Sequence, residues 1–408
     1  MARLSLILSI FVAITAFPAY RVRYLIQNAL LPPRSLPDEY YRGPGACEVI
    51  RAPGVSSCED ERFWTHGETG ERRVLVACDP GRFEWNTVLG PMNNADPRGS
   101  LWVLDVDTLV PQKVAFENFP ETHTFHPLGF ELTPGLSGVP SRMYVVNHAR
   151  DASVLEEFEV EWDNPTRARW VRTLSDPSLP GPNSVAIASD GSLYVSNDHR
   201  FPLRHGLVPN ALETFLALPI GHISHISFSS PSATPNFSTV ASGIPFANGV
   251  ALSRHENILA VASTTGTSVR LYSRNATTNV LTFMEEILVP FASDNVSFDD
   301  NDELLVAGHP DFPALIAMSK RVPGARSPSW VVALRKTDTE PGEEWDAQAR
   351  LPASRKVPKP SGGWAMETVY QSSGQKGFAA STTALRDVGT GHVFIIGLYE
   401  DGVLVCKK

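Results

Sequence analysis

The sequence predicts an all-β fold, and three observations lead to that prediction. Short runs in which Val, Ile, Tyr, Phe and Trp alternate with polar residues recur along the chain, as is typical of strands. Gly and Pro make up 62 of the 408 residues, so turns are frequent. A segment that opens with Asn and holds two strands occurs three times. We expect strands at residues 73–78, 101–106, 143–146, 154–160, 269–272, 330–334 and 392–398.

The first twenty residues predict entry into the secretory pathway. A basic residue precedes an apolar run over residues 4–19, and two arginines follow it, which is the pattern of a secretory signal. Phe17 and Pro18 stand where a cleavage site would have small residues. A cleaved signal peptide and a retained membrane anchor therefore both fit residues 1–20, and the second would permit membrane association through this apolar segment.

Four cysteines are too few for a disulfide-dense scaffold, but an oxidising compartment permits them to pair. Cys47 and Cys406 bracket nearly the whole globular region, so a disulfide between them would fasten the two ends together. Cys58 and Cys78 form the remaining pair if their strands are neighbours. Of the N-x-S/T sequons, those at Asn236 and Asn275 predict surface glycosylation.

The repeated segment predicts a β-propeller. Its copies open at Asn183, Asn248 and Asn295, which are 65 and 47 residues apart, and periods near 50 residues are typical of propeller blades. Six blades over residues 41–408 would have about 60 residues each, enough for four strands and long loops. Seven blades remain an alternative. We predict one six-bladed domain closed by a terminal disulfide, preceded by a linker over residues 21–40.

Charge and motifs exclude several function classes. The chain has 35 basic and 44 acidic residues and a net charge of −9, which argues against a nucleic-acid partner because such partners require clustered Lys and Arg. The sequence contains no G-x-S-x-G, H-E-x-x-H, C-x-x-C or phosphate-loop motif, so the usual serine-hydrolase and zinc-protease mechanisms have no support.

Oxygen-bearing side chains at the strand entrances predict a calcium site. Equivalent positions of successive blades face one central channel, so the three opening asparagines would converge there. Asp294, beside the third asparagine, adds a carboxylate, and Glu59 and Asp60 lie in a comparable entry position before an early strand. Calcium takes six to eight oxygen ligands and tolerates irregular geometry, whereas zinc prefers His and Cys.

These segments resemble the paraoxonase/arylesterase family of calcium-dependent lactonases and esterases. The resemblance extends over most of the chain, from Cys47 to Cys406. It implies a six-bladed propeller with a catalytic and a structural calcium ion in its tunnel, and it maps the family's terminal disulfide onto Cys47 and Cys406. The motifs that carry it are 57–60 (SCED), 143–148 (MYVVNH), 183 with 196–201 (SNDHRF), 246–249 (FANG), 293–297 (SDNVS) and 308–310 (GHP).

The resemblance also assigns metal ligands. For the second, structural calcium it implies Asp60 and the carbonyl of Phe130. Ser184 stands where the family has an aspartate, and since a carboxylate is lost there, we expect that site to be absent or differently held. The catalytic-calcium ligands are all present: Glu59, Asn183, Asn248, Asp294 and Asn295.

The family's proton-relay pair of histidines is incomplete. His148 matches one member, but the other falls on Leu128, which cannot accept a proton. His126, two residues earlier, would lie on the same face of a strand and is a candidate substitute. Phe246, next to a predicted ligand, is a candidate pocket wall. The residues that match family positions around the pocket are Asp198, His199 and His309.

The sequence therefore predicts a secreted or membrane-anchored hydrolase of small lactones or aryl esters, with phosphotriesters as a further candidate substrate class. Calcium would polarise the carbonyl or phosphoryl oxygen for attack by water. The alternative is a non-catalytic, calcium-stabilised secreted binding propeller, which Leu128 and Ser184 favour. A third hypothesis assigns to this propeller chemistry like that of the strictosidine-synthase-like propellers. That chemistry does not need the full set of five calcium ligands, so their presence argues against it.

Overall fold

The computed structural model describes residues 22–31, 36–96, 98–230, 233–337 and 363–407. These residues form six sheets, which confirms the all-β prediction and the count of six blades. Residues 1–20, where we predict a signal peptide or anchor, lie outside the described residues. Within the described ranges, no helix has the length and apolarity that a membrane span requires.

The first three blades follow one another along the chain. Blade 1 contains β3–β6, blade 2 contains β7–β11 and blade 3 contains β12–β15. Their strands are β3 (Cys58–Thr65), β4 (Arg72–Cys78), β5 (Ser100–Asp105), β6 (Pro111–Lys113), β7 (Ala115–Glu117), β8 (Pro127–Leu132), β9 (Ser141–His148), β10 (Ser153–Glu161), β11 (Asn164–Leu174), β12 (Pro182–Ile187), β13 (Leu193–Asn197), β14 (Gly221–Ser227) and β15 (Asn236–Ile244).

The other three blades include two strands from the start of the chain. Blade 4 contains β16–β19, blade 5 contains β20–β23 with β1, and blade 6 contains β24–β26 with β2. Their strands are β1 (Glu39–Tyr41), β2 (Cys47–Ile50), β16 (Ala247–Leu252), β17 (Ile258–Ser263), β18 (Ser268–Arg274), β19 (Leu281–Leu288), β20 (Ala292–Phe298), β21 (Leu304–His309), β22 (Ser329–Lys336), β23 (Trp364–Ser372), β24 (Ser381–Arg386), β25 (Val393–Gly397) and β26 (Val403–Cys406).

The ring closes where the two ends of the chain meet. The innermost strands β3, β8, β12, β16, β20 and β24 contact one another in this order, and β24 contacts β3. Blade 6 takes its outer strand from the N-terminal side, because β2 pairs with β26 and places Cys47 opposite Cys406. These two cysteines form a disulfide, which confirms the predicted fastening. The neighbouring strands β3 and β4 bring Cys58 opposite Cys78, and those cysteines are joined as well.

Apolar side chains fill the spaces between adjacent blades. The second strand of most blades has other strands on both edges and neighbouring blades on both faces, so its residues are almost all buried, as in β17 and β21. This explains why the second strand of each repeated segment is the more apolar one. Between blades 1 and 2, Trp64 is buried and its indole Nε1 donates to Ser141 Oγ at 3.1 Å. The stacking of blade on blade thus supplies the core.

Helical segments lie at one end of the tunnel. Residues 22–30 are helical, and the last five, Ile26–Leu30, form a π-helical turn. Leu25 and Ala29 pack against α2 (Phe312–Ser319) within one apolar cluster, so this part of the stretch predicted as a linker is packed onto the propeller. A second helix, α1 (Leu207–Phe215), follows blade 3's second strand.

Candidate functional site

All six innermost strands are interrupted at the same level. In each one the pairing with its neighbour skips one or two residues near the strand's start. Such β-bulges bend the strand and redirect side chains. Because six bulges surround one axis, their side chains meet in the tunnel. The skipped residues are Glu59, Leu128 with Gly129, Asn183 with Ser184, Asn248 with Gly249, Asp294 with Asn295, and Thr382.

The bulges bring the predicted ligands of the catalytic calcium together. All five are buried. Glu59, Asn183, Asn248 and Asp294 line one cavity. Asn295 contacts this group directly, since its Nδ2 donates to Glu59 Oε1 at 3.1 Å.

Each asparagine of the set is held through its amide nitrogen. Asn183 Nδ2 donates to Asp198 Oδ2 at 3.1 Å. Asn248 Nδ2 donates to Asp294 Oδ1 at 2.7 Å, and Asn295 Nδ2 also donates to Thr383 Oγ1 at 3.0 Å. The amide oxygens of all three asparagines are left free of these contacts.

Four oxygens of the set are buried without a hydrogen-bond donor. They are Glu59 Oε2, Asn183 Oδ1, Asn248 Oδ1 and Asn295 Oδ1. Buried acceptors without a partner are unfavourable and therefore rare. Burial and the nearby Asp60 and Asp294 carboxylates also raise the pKa of Glu59 well above its usual value. A hard cation would satisfy these oxygens and offset the clustered charge, so the set fits calcium.

The composition of the candidate set favours one kind of cation over others. Among the residues that the structure describes, no group of three or more His, Cys, Asp or Glu side chains is arranged to hold a metal. The candidate set instead combines three carboxamides with two carboxylates, which are oxygen donors typical of calcium and unsuited to zinc.

His309 lies in the cavity wall and contacts the candidate ligands. Its Nε2 donates to Asp294 Oδ2 at 2.8 Å, which fixes the carboxylate whose other oxygen accepts from Asn248. Its second ring nitrogen, Nδ1, is buried without a partner. Of the histidines predicted as site residues, His309 is the one that the cavity lining includes.

His148 is buried but does not line the cavity. Its Nδ1 bonds to the hydroxyl of Thr87, and its Nε2 donates to the carbonyl of Pro182 at 2.7 Å. Trp85 Nε1 donates to the backbone carbonyl of His148 at 2.8 Å. With both ring nitrogens bonded and the side chain outside the cavity lining, His148 is placed to hold blade 2 against Pro182.

His126, the candidate substitute for the missing histidine of the relay, is bonded through both ring nitrogens. Its Nδ1 contacts Asp79 Oδ2 at 2.9 Å and its Nε2 contacts the carbonyl of Ala95 at 3.0 Å. The bulge at Leu128 interrupts the strand alternation from which this candidate was inferred. Leu128 itself lines the cavity, so an apolar side chain occupies the position.

Asp198 and His199 do not line the cavity themselves but contact residues that do. Asp198 Oδ2 accepts from Asn183, and Asp198 Oδ1 contacts His199 Nδ1 at 3.0 Å. His199 Nε2 contacts Thr214 Oγ1 at 2.8 Å. The ring of His199 packs against Phe246, with centroids 4.4 Å apart, and Phe246 lines the cavity as predicted. The pair therefore orients a candidate ligand and a wall residue.

Sequence reasoning missed Arg82, which also lines the cavity. This buried guanidinium donates from Nε to the carbonyl of Ser57 at 3.3 Å and from Nη2 to the carbonyl of Pro127 at 2.9 Å. It lies in the 3₁₀ turn Pro80–Phe83, which Asp79 caps by accepting from the Gly81 N–H at 2.9 Å. The capped D-P-G turn was a usable signal for local structure, but nothing in it pointed to the tunnel.

The predicted second calcium set has a different environment. Asp60 is buried, and its Oδ2 accepts from the backbone N–H of Phe130 at 3.0 Å. Its Oδ1 accepts from Arg62 Nη1 at 2.7 Å. Burial raises the pKa of Asp60 to about 6 in spite of that arginine. Ser184 Oγ accepts from the N–H of Val250 at 3.3 Å. The side-chain oxygens of Asp60 and Ser184 therefore already have donors.

The two predicted glycosylation sites are on the surface. Asn236 begins β15 and Asn275 lies in the turn before β19, and both are exposed. Glycosylation at these positions stays a prediction.

Removing His148 should reduce the acid sensitivity of folding. Burial lowers its pKa to about 4, with Arg204 and Arg82 lowering it further and Asp198 opposing them. The unfolded histidine titrates near 6.5, so the unfolded state binds the extra proton first and stability is lost as the pH falls from about 6.5 towards 4. We expect wild type to lose about 2 kcal/mol more than His148→Gln between pH 7.5 and 5 in urea unfolding. The exposed His255→Gln control should behave as wild type, and equal losses in all three would refute the assignment.

Comparison with known proteins identifies the family. A family model described as arylesterase matches residues 91–343, which is more than half of the chain. The chain belongs to the arylesterase family. The resemblance of the sequence motifs to the paraoxonase/arylesterase family is thereby confirmed.

Curated relatives of this arylesterase-family chain match only in part. Serum paraoxonase/lactonase 3 of Oryctolagus cuniculus is 26% identical over 219 residues, which cover 53% of this chain and 58% of the relative. Serum paraoxonase/arylesterase 1 of Homo sapiens is 27% identical over 172 residues, or 41% of this chain and 45% of the relative. The chain therefore spans about half the length of the curated relatives that it matches.

Solved structures include similar folds at low identity. A gluconolactonase from Xanthomonas campestris has a TM-score of 0.48 and 12% identity and covers 92% of this chain and 96% of its own. A luciferin-regenerating enzyme has a TM-score of 0.49 and 11% identity, with coverages of 89% and 96%. Scores and identities this low say nothing about the chemistry of the arylesterase-family chain.

Proposed function

We propose that this arylesterase-family protein hydrolyses small lactones and aryl esters with a calcium ion held in the tunnel. The observation that carries the proposal is a set of four buried oxygens without donors. Three belong to the cavity-lining residues Glu59, Asn183 and Asn248, and the fourth belongs to Asn295, which bonds to Glu59. Family membership supplies the reaction class. The curated relatives are named as lactonases and arylesterases, and phosphotriesters are a further substrate class to test.

Glu59, Asn183, Asn248, Asp294 and Asn295 would hold the ion. A bound calcium would supply Lewis-acid polarisation of the substrate's carbonyl or phosphoryl oxygen. The protein residues keep the donor set rigid, because every asparagine is tied through its amide nitrogen and Asp294 is tied by two donors. Such preorganisation avoids reorganisation during the reaction.

His309 is the histidine best placed to handle a proton. Its Nε2 proton is committed to Asp294 Oδ2, so Nδ1 is the acceptor. Because His309 lines the cavity, we assign to Nδ1 the acceptance of a proton from the attacking water, a role that requires hydrogen-bond reach. His148 and His126 are assigned positioning roles, since their ring nitrogens bond to protein groups.

The remaining wall sets the shape and polarity of the substrate site. Phe246, Leu128 and Leu315 contribute apolar surface that suits aryl or alkyl groups, and Arg82 adds a positive charge. A mostly apolar wall with few directed polar groups is typical of small-molecule sites. The apolar lining favours uncharged organic esters and lactones over highly charged substrates.

The binding-protein alternative has one specific observation in its favour. Leu128 lines the cavity where the family resemblance implies a histidine, and His126 and His148 do not compensate for it. A calcium-stabilised binding propeller would take up ligands without converting them.

A substrate panel distinguishes the two functions. Purified protein is incubated with lactones, aryl esters and a phosphotriester, with calcium or with excess chelator. We expect turnover of at least one lactone or aryl ester that chelator abolishes and added calcium restores. Binding of such compounds by calcium-loaded protein without product formation would favour the binding propeller.

We also propose secretory entry, followed by secretion or anchoring. All four cysteines are paired, and disulfides persist mainly in oxidising compartments. The apolar run over residues 4–19 provides the signal or anchor. Expression with an N-terminal and a C-terminal tag tests cleavage, since a retained anchor keeps both tags.

Gly249 is expected to be essential for the geometry of the cation site. A Cβ at this bulge position would lie 2.5 Å from both Cα and Oδ1 of Asn295, so Gly249→Ala must push the two inner strands apart. We expect calcium affinity to fall by about 10- to 100-fold, as for other changes beside metal ligands. Calorimetric titration with calcium measures this. Gly67→Ala, whose Cβ would meet nothing closer than 3.4 Å, is the control, and equal affinities for both variants would contradict the account.

A further inference from the structure

An arginine from the same strand contacts Asp60, the carboxylate of the predicted second calcium site. Asp60 and Arg62 are two residues apart on β3, so their side chains project to the same side. Arg62 is 5% exposed. Its Nη1 lies 2.7 Å from Asp60 Oδ1, and its Nε lies 3.3 Å from Glu131 Oε2 on β8. A fixed positive charge therefore already lies between two carboxylates.

Both carboxylate oxygens of Asp60 have donors. Oδ1 accepts from the N–H of Glu61 at 2.9 Å as well as from Arg62, and Thr383 Oγ1 lies 3.3 Å away. Oδ2 accepts from the N–H of Phe130. An ion binding at Asp60 would have to displace the guanidinium and several of these donors.

Ser184 does not offer a charge to a second ion. It stands in the bulge of β12, where the family resemblance implies an aspartate. Its Oγ accepts from the N–H of Val250, and its own N–H donates to Ser196 Oγ at 3.0 Å. The side chain thus links β12 to β16 by a neutral hydrogen bond.

The two sets differ in their need for a cation. The catalytic set has four buried oxygens without donors, whereas neither Asp60 nor Ser184 has any such oxygen. Arginine remains protonated in proteins, so the guanidinium between Asp60 and Glu131 carries a fixed positive charge. The residues of the second set do not fit a calcium ion.

We propose that the guanidinium of Arg62 takes the place of the second, structural calcium, so that the protein binds one calcium ion per chain. The count of one rests on the proposed function, because the single ion is the one in the catalytic set. The replacement itself rests on the contacts of Arg62, Asp60 and Ser184. An internal arginine cannot be removed by chelators, so this part of the tunnel keeps its positive charge without metal.

The number of bound calcium ions tests the proposal directly. The full chain is equilibrated with calcium, freed of loosely bound metal by gel filtration and analysed by elemental mass spectrometry. We expect one calcium per chain. Two per chain would overturn the replacement by Arg62 and leave the proposed hydrolase intact, whereas none would overturn both the count and the proposed function.

A pair of substitutions should create the second site. In Arg62→Gln/Ser184→Asp the guanidinium is gone and a second carboxylate is present, so we expect two calcium ions per chain. Ser184→Asp alone should remain at one, because Arg62 still competes with the ion. The matched control Arg172→Gln/Ser184→Asp removes an arginine that pairs with Glu157 at 2.6 Å on the outer part of blade 2 and should also remain at one. A second ion in the control, or none gained in the test pair, would contradict the assignment.

Arg62→Gln alone provides an independent thermal readout. It leaves Asp60 buried without its ionic partner, which is strongly destabilising, and we expect the Tm to fall by about 5 °C. For wild type, chelator should lower the Tm only through the catalytic site. In Arg62→Gln/Ser184→Asp, calcium should restore most of the lost Tm. If calcium restores nothing to the double variant, Arg62 does not occupy a cation position.

Discussion

Asp294→Asn should abolish hydrolysis and weaken calcium binding by at least about 100-fold. The substitution keeps the shape of the side chain but removes one of two carboxylates in the catalytic set, and charge count sets calcium affinity in such sites. It also turns an amide group towards two donors, Asn248 Nδ2 and His309 Nε2, which both bond to Asp294. One of those donors must lose its partner, and a lost buried partner is unfavourable. Calcium titration and initial rates on a turned-over ester measure the two effects.

The control for this variant is Asp107→Asn. Asp107 is exposed on blade 1 and its substitution removes the same charge from the protein without touching the tunnel. We expect wild-type calcium affinity and activity. Full activity in Asp294→Asn, or an equal loss in the control, would show that the carboxylate of Asp294 does not act in the site.

Removal of the terminal disulfide should destabilise the protein by about 5 kcal/mol. Cys47 and Cys406 are 359 residues apart in sequence, so their disulfide restricts nearly the whole unfolded chain. It also fastens β2 to β26, the pairing that completes blade 6. Cys47→Ala/Cys406→Ala should therefore unfold at much lower urea concentration. The opened blade should also increase amide hydrogen exchange in β26.

The second disulfide is the matched comparison. Cys58 and Cys78 are 20 residues apart, so the same entropy model gives about 3 kcal/mol for Cys58→Ala/Cys78→Ala. Both variants are measured with chelator present, because Cys58 is adjacent to Glu59 and calcium would otherwise contribute to stability. A larger loss for the short loop than for the long one would contradict ring closure as the main role of Cys47–Cys406.

The architecture was predictable because each blade repeats a local pattern. The second strand of each blade is buried on both faces, so its sequence is a run of apolar residues. The opening asparagines recur near the start of β12, β16 and β20. The helical packing of residues 22–30 was not predictable from that pattern. It depends on contacts such as Asn28 Nδ2 with Thr267 Oγ1 at 3.2 Å, which join residues 239 positions apart.

That the candidate ligands converge on one axis was predictable, but the geometry of their convergence was not. The asparagines could be recognised from the repeat, whereas the six aligned bulges that aim them depend on pairing between strands. The histidines illustrate the limit. His148 and His126 bond to Thr87 and Asp79, which belong to the segment after β4. The bulge at Leu128 interrupts the strand alternation from which the position of His126 was predicted.

The predicted second calcium site shows that a residue can match the family pattern while its surroundings differ. Asp60 fits the family pattern, yet the arginine two positions later determines what that carboxylate binds. Sequence reasoning recognised the loss at Ser184 but not the compensation by Arg62, because the partners Phe130 and Glu131 come from another blade. These contacts join the inner strands β3 and β8, so they appear only in the three-dimensional structure.

The dependence of hydrolysis on calcium occupancy is the decisive measurement for the proposed calcium-dependent hydrolase. Metal-free protein is titrated with calcium while heat and the initial rate on one turned-over lactone or aryl ester are recorded. We expect binding and rate to rise together with the same midpoint and to saturate at one ion per chain. A rate that is unchanged from metal-free to calcium-saturated protein, or no turnover of any lactone or aryl ester by the calcium-saturated protein, would contradict it.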